Sequence, residues 1–222
     1  MRREKISNNV IRRLPRYLRK LEELQAHNVE RISSGELGRQ MGLTPSQIRQ
    51  DFSCFGEFGQ QGYGYNVDIL LDAVSTILGL KCNYSIVIVG VGNLGKALIE
   101  NFGFEEQGFR LTAAFDVDPG LVGLEHYGVR ILHTRELHDY VAQNGADVAV
   151  LTVPWQLANE VALDIANAGI RAIWNFTNIE LDALLPDIVI EDIHFLDSLM
   201  ALSYYLTDSI SNDAVSAEDG NA

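Results

Sequence analysis

The sequence predicts an α/β protein in two parts: a small helical domain carrying a hairpin, then a doubly wound parallel sheet. Three observations predict it. The apolar run Ile86-Val87-Ile88-Val89 leads directly into Gly90-Val91-Gly92-Asn93-Leu94-Gly95, a buried strand followed by a glycine-rich turn. Behind that turn, strand-like runs alternate with helical patterns. In front of it, residues 1–80 hold short amphipathic stretches punctuated by turn residues and no such alternation.

The first element is an amphipathic helix over residues 7–26. Ser7 is its candidate cap, and Val10, Leu14, Leu18, Leu21 and Leu24 recur at helical spacing. A serine of Ile32-Ser33-Ser34 is placed to cap a second helix, Gly35 to Met41. Gly42-Leu43-Thr44 is a tight turn. Thr44-Pro45 then reads as a cap followed by proline at the first helical position, opening a third helix from Pro45 to about Phe52. Helix, glycine-containing turn, helix is the helix-turn-helix pattern, although any three-helix bundle gives something similar. If it reads DNA, the helix from Pro45 lies in the major groove and presents Ser46, Gln47, Arg49 and Gln50. Gln47 or Gln50 then suits an adenine edge, and Arg49 suits phosphate or guanine. Four glycines interleaved with aromatics between Phe55 and Tyr65 suit a tight ribbon, a wing with Gln60, Gln61 and Tyr63 at its tip and Phe55 and Phe58 in the core. Val67 to Leu80 reads as a helix leading into the second domain.

In the glycine turn, the first glycine permits the bend. The second lets backbone approach a pyrophosphate, and the third lets the next helix, Leu94 to Asn101, pack on the strand and aim its N-terminal amides at phosphate. Leu111 to Asp116 reads as the second strand. It ends in a carboxylate about 20 residues past the glycines, where an acid that holds the adenosine ribose belongs. Asp116 would accept from the ribose hydroxyls and repel a 2′-phosphate, which favours NAD and NADH over their phosphorylated forms. The plainer alternative is that Asp116 only caps the turn before Asp118-Pro119. Further strands are expected near 129–132, 147–153, 171–176 and 187–190, with helices near 135–143 and 155–168. Thr152-Val153-Pro154 and Asn175-Phe176 therefore fall at strand C-terminal ends, where such sheets bind ligands. Phe195 to Ser209 reads as an apolar helix with no place in a sheet already six strands wide, so it is expected to pack on another subunit or on the N-terminal domain. Residues 211–222 are polar and acidic and are expected to be disordered. The domains are thus 1–80, 81–210 and a tail, 211–222.

Charge supports the division. The chain carries −13 overall, but residues 1–80 hold 11 Lys and Arg against 9 Asp and Glu, whereas residues 81–222 hold 6 against 21. Eight of the basic residues lie in the first 20, among them Arg12, Arg13 and Arg16. Asymmetry of this kind points to nucleic acid. The 47% apolar content supports packed cores, while the longest apolar runs are too short to span a bilayer. Cys54 and Cys82 are too few for a disulfide framework or a zinc site, and the five histidines show no ligand spacing. No metal is expected, and the pattern is consistent with a reducing cytoplasm.

Taken together, the residues resemble the Rex family of redox-sensing transcriptional repressors over about residues 5 to 207. The specific pieces are Arg16-Tyr17-Leu18-Arg19, Gln47-Ile48-Arg49-Gln50-Asp51-Phe52-Ser53, Phe55-Gly56-Glu57-Phe58-Gly59, Gly62-Tyr63-Gly64-Tyr65, the glycine turn, Phe115-Asp116-Val117-Asp118-Pro119, Leu151-Thr152-Val153-Pro154 and Asn175-Phe176. The resemblance implies a homodimer with winged-helix DNA-binding domains, Rossmann domains and a C-terminal helix exchanged between subunits. It implies operator DNA, an inverted repeat, as partner. It also implies that NADH closes the dimer and releases the operator, with NAD⁺ competing. It places the cofactor against Gly90 to Gly95, Asp116, Val117, Thr152 to Pro154, Asn175, Phe176 and Phe195, the last reaching the partner's nicotinamide pocket. The chain departs from the family in several places. Gln50 and Gln61 stand where a basic residue is usual, and Cys54 where a tyrosine is usual. His194 stands where an Asp near the start of the exchanged helix pairs with the arginine matching Arg19, and Phe102 where a tyrosine joins that pair. These departures imply an altered link between a retained sensing pocket and the DNA-binding domain.

Two other functions fit parts of the chain. An NAD-dependent oxidoreductase would need a substrate domain and an acid–base pair beside the nicotinamide, and neither is evident; no catalytic residue is expected. A CoA-binding subunit would need to accept a 3′-phosphorylated ribose, which Asp116 suits less well. Neither explains the N-terminal domain.

Overall fold

In the computed structural model, residues 6–56, 58–60 and 63–219 are described, with Gln60 and residues 210–219 as backbone alone. The chain divides between Asn83 and Tyr84 into two units.

The first unit is built on α1 (Asn8–Ala26), which carries Pro15 and buries Val10, Leu14, Tyr17, Leu18, Leu21 and Leu24 along one face. Ser7 occupies the cap position of α1 without a side-chain bond, unlike the expected cap. Ser33 does cap α2 (Ser34–Met41), accepting from the Glu36 amide at 3.0 Å. Gly42 then turns the chain in the left-handed region at φ 68°, which a glycine adopts without steric cost. Thr44 caps α3 (Pro45–Ser53) by accepting from the Gln47 amide, and proline fills the first helical position, where its missing N–H is not needed. A Cβ on Gly38 would come within 2.5 Å of the Leu43 carbonyl, so the α2–α3 turn is closed tightly over a glycine.

Behind α3 comes a three-stranded antiparallel sheet in the order β1 (Arg31–Ile32), β3 (Gly64–Asn66), β2 (Gly59–Gln60). The ribbon of β2 and β3 is the expected wing. Its third strand, β1, is unexpected: two residues carry no readable alternation. Tyr65 of β3 packs on Phe52 of α3, ring centroids 5.3 Å apart, and Phe52 on Tyr17 of α1 at 4.8 Å. Phe55 and Phe58 are partly buried against this core, as expected. α4 (Val67–Ile77), capped by Asn66, closes the unit three residues shorter than expected.

The second unit is a seven-stranded sheet. β4 (Tyr84–Val89) lies at its centre. On one side follow β5 (Phe109–Asp116), β7 (Val129–His133) and the short antiparallel edge β6 (Glu125–His126). On the other follow β8 (Val148–Leu151), β9 (Ala172–Asn175) and β10 (Val189–Asp192). All pairings except β6–β7 are parallel. The run 86–89 is apolar throughout because both faces are covered: Ile86 and Ile88 belong to one core cluster, Val87 and Val89 to the other. The crossover helices are α5 (Asn93–Asn101), α6 (Leu137–Asn144) and α7 (Ala158–Asn167), the last two entered through single 3₁₀ turns at Thr134–Glu136 and Trp155–Leu157. α8 (Phe195–Asp219) is longer than expected and runs through the acidic segment expected to be disordered. The rest of that tail, 220–222, lies outside the described residues.

Candidate functional site

The strand order places β4 between β5 and β8, so the chain leaves the sheet in opposite directions on either side of it. The C-terminal ends of these strands form a crevice at a topological switch point. Gly90, at φ 102°, turns the chain out of β4. Its amide donates to the Phe115 carbonyl at 2.8 Å, and a Cβ there would meet the Thr152 carbonyl at 2.8 Å. A Cβ on Gly95 would sit 2.1 Å from the Gly90 oxygen, so α5 cannot approach this closely with any other residue. Gly92 is different. A Cβ there meets nothing within 4 Å, because it points into open space in front of the α5 N-terminus. Gly92 therefore keeps clear the place where a pyrophosphate would lie against the free amides of Asn93, Leu94 and Gly95.

Asp116 ends β5 beside this turn. One carboxylate oxygen accepts from the Val91 amide at 2.6 Å and the other from the Asp118 amide at 2.9 Å. Each oxygen retains acceptor capacity, so the carboxylate is held fixed and able to take a ribose hydroxyl. Val117 is exposed next to it. The Thr152 hydroxyl donates to the Gly90 carbonyl at 2.7 Å, which makes it a clamp on the glycine turn. Val153 is half-buried and Pro154 exposed at the end of β8. Asn175 was expected to face a ligand, but it is 1% exposed and both donors and both acceptors of its amide are taken by protein groups. Phe176 is half-buried, its ring 4.6 Å from Trp174 and 5.9 Å from Phe195. These residues fit a dinucleotide: a cradle without side chains, a helix N-terminus, and a fixed carboxylate at the ribose position.

In the first unit the structure sorts the expected DNA contacts. Arg13 is not a free cation. It makes two 2.7 Å hydrogen bonds to Asp51 of α3, which also accepts from the Tyr17 hydroxyl at 2.7 Å. Asp51 is 2% exposed, so this is a buried strut between α1 and α3. The hydrogen bond to Asp51 raises the Arg13 pKa, and burial pushes the Tyr17 hydroxyl well above the ordinary range. Arg16 donates to the Met41 carbonyl at 3.2 Å, and Arg49 to the Ser34 hydroxyl at 3.0 Å; both stay exposed. Arg12 is exposed on α1. Ser46 and Gln50 are exposed on α3 and Gln47 half-buried; Gln47 and Gln50, one turn apart, share a face. Tyr63 of the wing is 69% exposed. The side chain of Gln60 and all of Gln61 lie outside the described residues. Asp51, which fixes Arg13 inside the fold, is the residue whose role the sequence did not disclose. Its burial did carry a signal: Ile48 and Phe52 mark the buried face of α3, and Asp51 sits between them on that face.

Of the three residues expected to couple the two functions, Arg19 is exposed on α1 in the first unit. Phe102, in the second, caps the C-terminus of α5 with its ring against Phe104 and Trp174. His194 is half-buried immediately before α8. Among the described residues no helix is long and apolar enough to cross a membrane, and no group of three His, Cys, Asp or Glu can hold a metal ion.

A helix-turn-helix unit with a wing, joined to a sheet that offers a dinucleotide crevice, defines a DNA-binding protein built to carry its own nucleotide sensor. Comparison with known proteins agrees in both halves. Residues 5–53 match the family model described as putative DNA-binding protein N-terminus, and residues 81–179 the model described as CoA binding domain. The redox-sensing transcriptional repressor Rex of Caldicellulosiruptor saccharolyticus is 48% identical over 94% of this chain and 95% of its own. The crystal structure of RSP in complex with β-NAD⁺ and operator DNA superposes with a TM-score of 0.88 at 44% identity, covering 97% of this chain and 99% of that one. The structure of RSP with β-NADH does so at 0.87 and 42%, covering 96% and 99%. The chain belongs to the Rex family of redox-sensing transcriptional repressors.

Proposed function

We propose that this protein is a redox-responsive repressor. It binds operator DNA, an inverted repeat, as a homodimer and leaves it when NADH occupies the crevice, with NAD⁺ competing for the same place. The observation that carries this reading is the pairing, in one chain, of an exposed recognition helix bearing Gln47, Arg49 and Gln50 with the Gly92 cradle beside Asp116. Gly90 to Gly95 take the pyrophosphate and Asp116 with Val117 the adenosine. Thr152, Val153, Pro154 and Phe176 border the nicotinamide side, and Phe195 of each protomer reaches that side of its partner in the dimer. Arg12, Arg16, Ser46 and the wing residues Gln60, Gln61 and Tyr63 complete the DNA contact. Dimerisation follows from α8, which carries exposed Phe195, Leu196, Leu199, Leu202 and Leu206 and needs an apolar partner. The site of action is the cytoplasm, where the genome lies and the free thiols of Cys54 and Cys82 stay reduced. The protein works by linkage, not turnover: a ligand releases DNA only by its differential affinity for the two states.

The test is fluorescence anisotropy of a labelled inverted-repeat duplex with the protein, titrated with NADH, NAD⁺, NADPH and CoA in parallel. Release by NADH, relieved by added NAD⁺ and not reproduced by CoA, is the expected result. Release by CoA at lower concentration would instead favour the ligand for which the second family model is described.

A further inference from the structure

β9 runs into Trp174-Asn175-Phe176, and each of the three side chains ties a different element. The Trp174 ring lies 5.1 Å from Phe102 at the end of α5, and Phe176 lies 5.9 Å from Phe195 at the start of α8. Between them Asn175 donates to the Ile179 carbonyl at 2.6 Å and to an Asp192 carboxylate oxygen at 2.7 Å. Its own side-chain oxygen accepts from the amide and hydroxyl of Thr177, at 3.0 and 2.7 Å. Its backbone carbonyl accepts from the Ile193 amide at 2.8 Å. Asp192 is the last residue of β10 and lies opposite Asn175 in the strand register. Two successive residues, Asp192 and Ile193, are therefore pinned to the end of β9, and His194 and Phe195 follow directly.

A primary amide has two donors and two acceptor sites, and here none is left over for a ligand. A buried network with every member satisfied is rigid, and losing one partner strands a polar group. What this rigidity fixes is the take-off of α8. Phe195 is 61% exposed, yet its ring is held against Phe176, which belongs to the crevice wall. The Asn175–Asp192 bond thus adds a partly buried side-chain tie to the Ile193 backbone bond and the Phe176–Phe195 contact at the root of an otherwise exposed helix.

We infer that Asn175 and Asp192 are positioning residues for the ligand response: their hydrogen bond fixes the first turn of α8 against Phe176, so that occupancy of the nicotinamide side is felt by α8. This rests on the repressor reading above. Asn175→Ala removes four hydrogen bonds in the core and threatens the fold, so the informative variants are at half-buried Asp192. Asp192→Ala removes the acceptor; Asp192→Asn keeps an acceptor oxygen and drops the charge. NADH affinity is measured by calorimetry with and without saturating operator, together with the melting temperature of each variant. The factor by which operator weakens NADH should shrink at least about fivefold in Asp192→Ala and stay near the parent value in Asp192→Asn. A merely structural bond would lower the melting temperature and leave that factor alone. A responsive parent with an equally responsive Asp192→Ala overturns the inference by itself. A parent whose NADH affinity ignores operator overturns the repressor reading, and the inference with it.

Discussion

Arg13 on α1 holds Asp51 on α3 through two 2.7 Å hydrogen bonds that bridge 38 residues of sequence. The fork of the guanidinium matches the carboxylate, and the Tyr17 hydroxyl takes a further lone pair. Helix α3, the expected recognition helix, is thereby braced from its buried side by the same basic helix that the charge pattern singles out for DNA.

That bracing separates two roles for Arg13. A phosphate contact would contribute about 0.9 to the slope of log affinity against log salt. A strut contributes nothing to the slope but leaves a buried, unpaired carboxylate when it is removed. Arg13→Ala is expected to cost stability on the order of 3–5 kcal/mol by denaturant unfolding. The salt slope of operator binding should not change. A slope lower by about one unit with unchanged stability would return Arg13 to the DNA surface.

Tyr17 gives the strut a pH limit. Its hydroxyl is raised above the ordinary tyrosine value, first by burial and then by the bond to Asp51. The folded state therefore favours the neutral phenol. The associated stability is fully present below the unfolded-state value of about 10 and is lost as pH rises above it toward the raised folded value. Tyr17→Phe should be less stable than the parent at neutral pH by about 1.5–3 kcal/mol, the range for a hydrogen bond to a charged group. The difference should narrow in unfolding experiments carried above about pH 10. A gap that widens with alkalinity would contradict the assignment.

How much of this is readable in advance depends on where the constraint lies. The glycine turn is legible because close approach admits only one residue type, at Gly90 and Gly95, and because Asp116 follows at a fixed distance. The α2–α3 turn is legible for the same reason, through Thr44-Pro45 and Gly42. β1 and β6 are not, since two-residue strands carry no periodicity and gain their identity from partners such as Tyr65 or Val129. The commitment of Arg13 is hidden because an arginine on a basic helix looks the same whether it faces phosphate or a carboxylate 38 residues on. Asn175 misleads in the opposite way. Its place at a strand end is that of a ligand contact, and only the geometry shows every polar atom already engaged. Helix α8 is legible in its apolar residues from Phe195 to Leu206, but its extension to Asp219 runs through residues whose polarity argues for a coil.

On α3, Gln47→Ala and Gln50→Ala should each weaken operator binding by about 1–3 kcal/mol if the amide reads a base edge, and the loss should disappear at one operator position when that base pair is changed. Uniform weakening across sequences would mean that these side chains only touch backbone. Competition binding with operator variants makes the distinction.

In the crevice, Asp116 is held by the Val91 and Asp118 amides and cannot swing away from a 2′-phosphate. NADH should bind more tightly than NADPH. Asp116→Ala should weaken NADH and narrow the preference, while Gly92→Val should remove binding of both because its side chain fills the open space before α5. Calorimetric titration of the parent and two variants is sufficient. Equal affinities for the two nucleotides in the parent would remove the role given to Asp116.

The strength of coupling is the last expectation, and it turns on Phe102 and His194. In the family pattern a tyrosine and an aspartate stand at these positions and meet the arginine that matches Arg19. Here the first is an aromatic ring without a hydroxyl, packed 4.8 Å from Phe104 and 5.1 Å from Trp174, and the second cannot offer a carboxylate. Phe195 is retained, so the nicotinamide should still be sensed. Linkage then fixes the form of the result: whatever factor NADH takes from operator affinity, operator takes from NADH affinity. That factor should be smaller in the parent than in the double variant His194→Asp/Phe102→Tyr, which restores a carboxylate and a hydroxyl for Arg19. Phe102→Tyr keeps the ring and its packing on Trp174, so the comparison changes polarity and little else. The gain should vanish when Arg19→Ala is added, because the restored groups then lack their cation. If the double variant shows the parent's factor, with or without Arg19, these positions do not set the coupling.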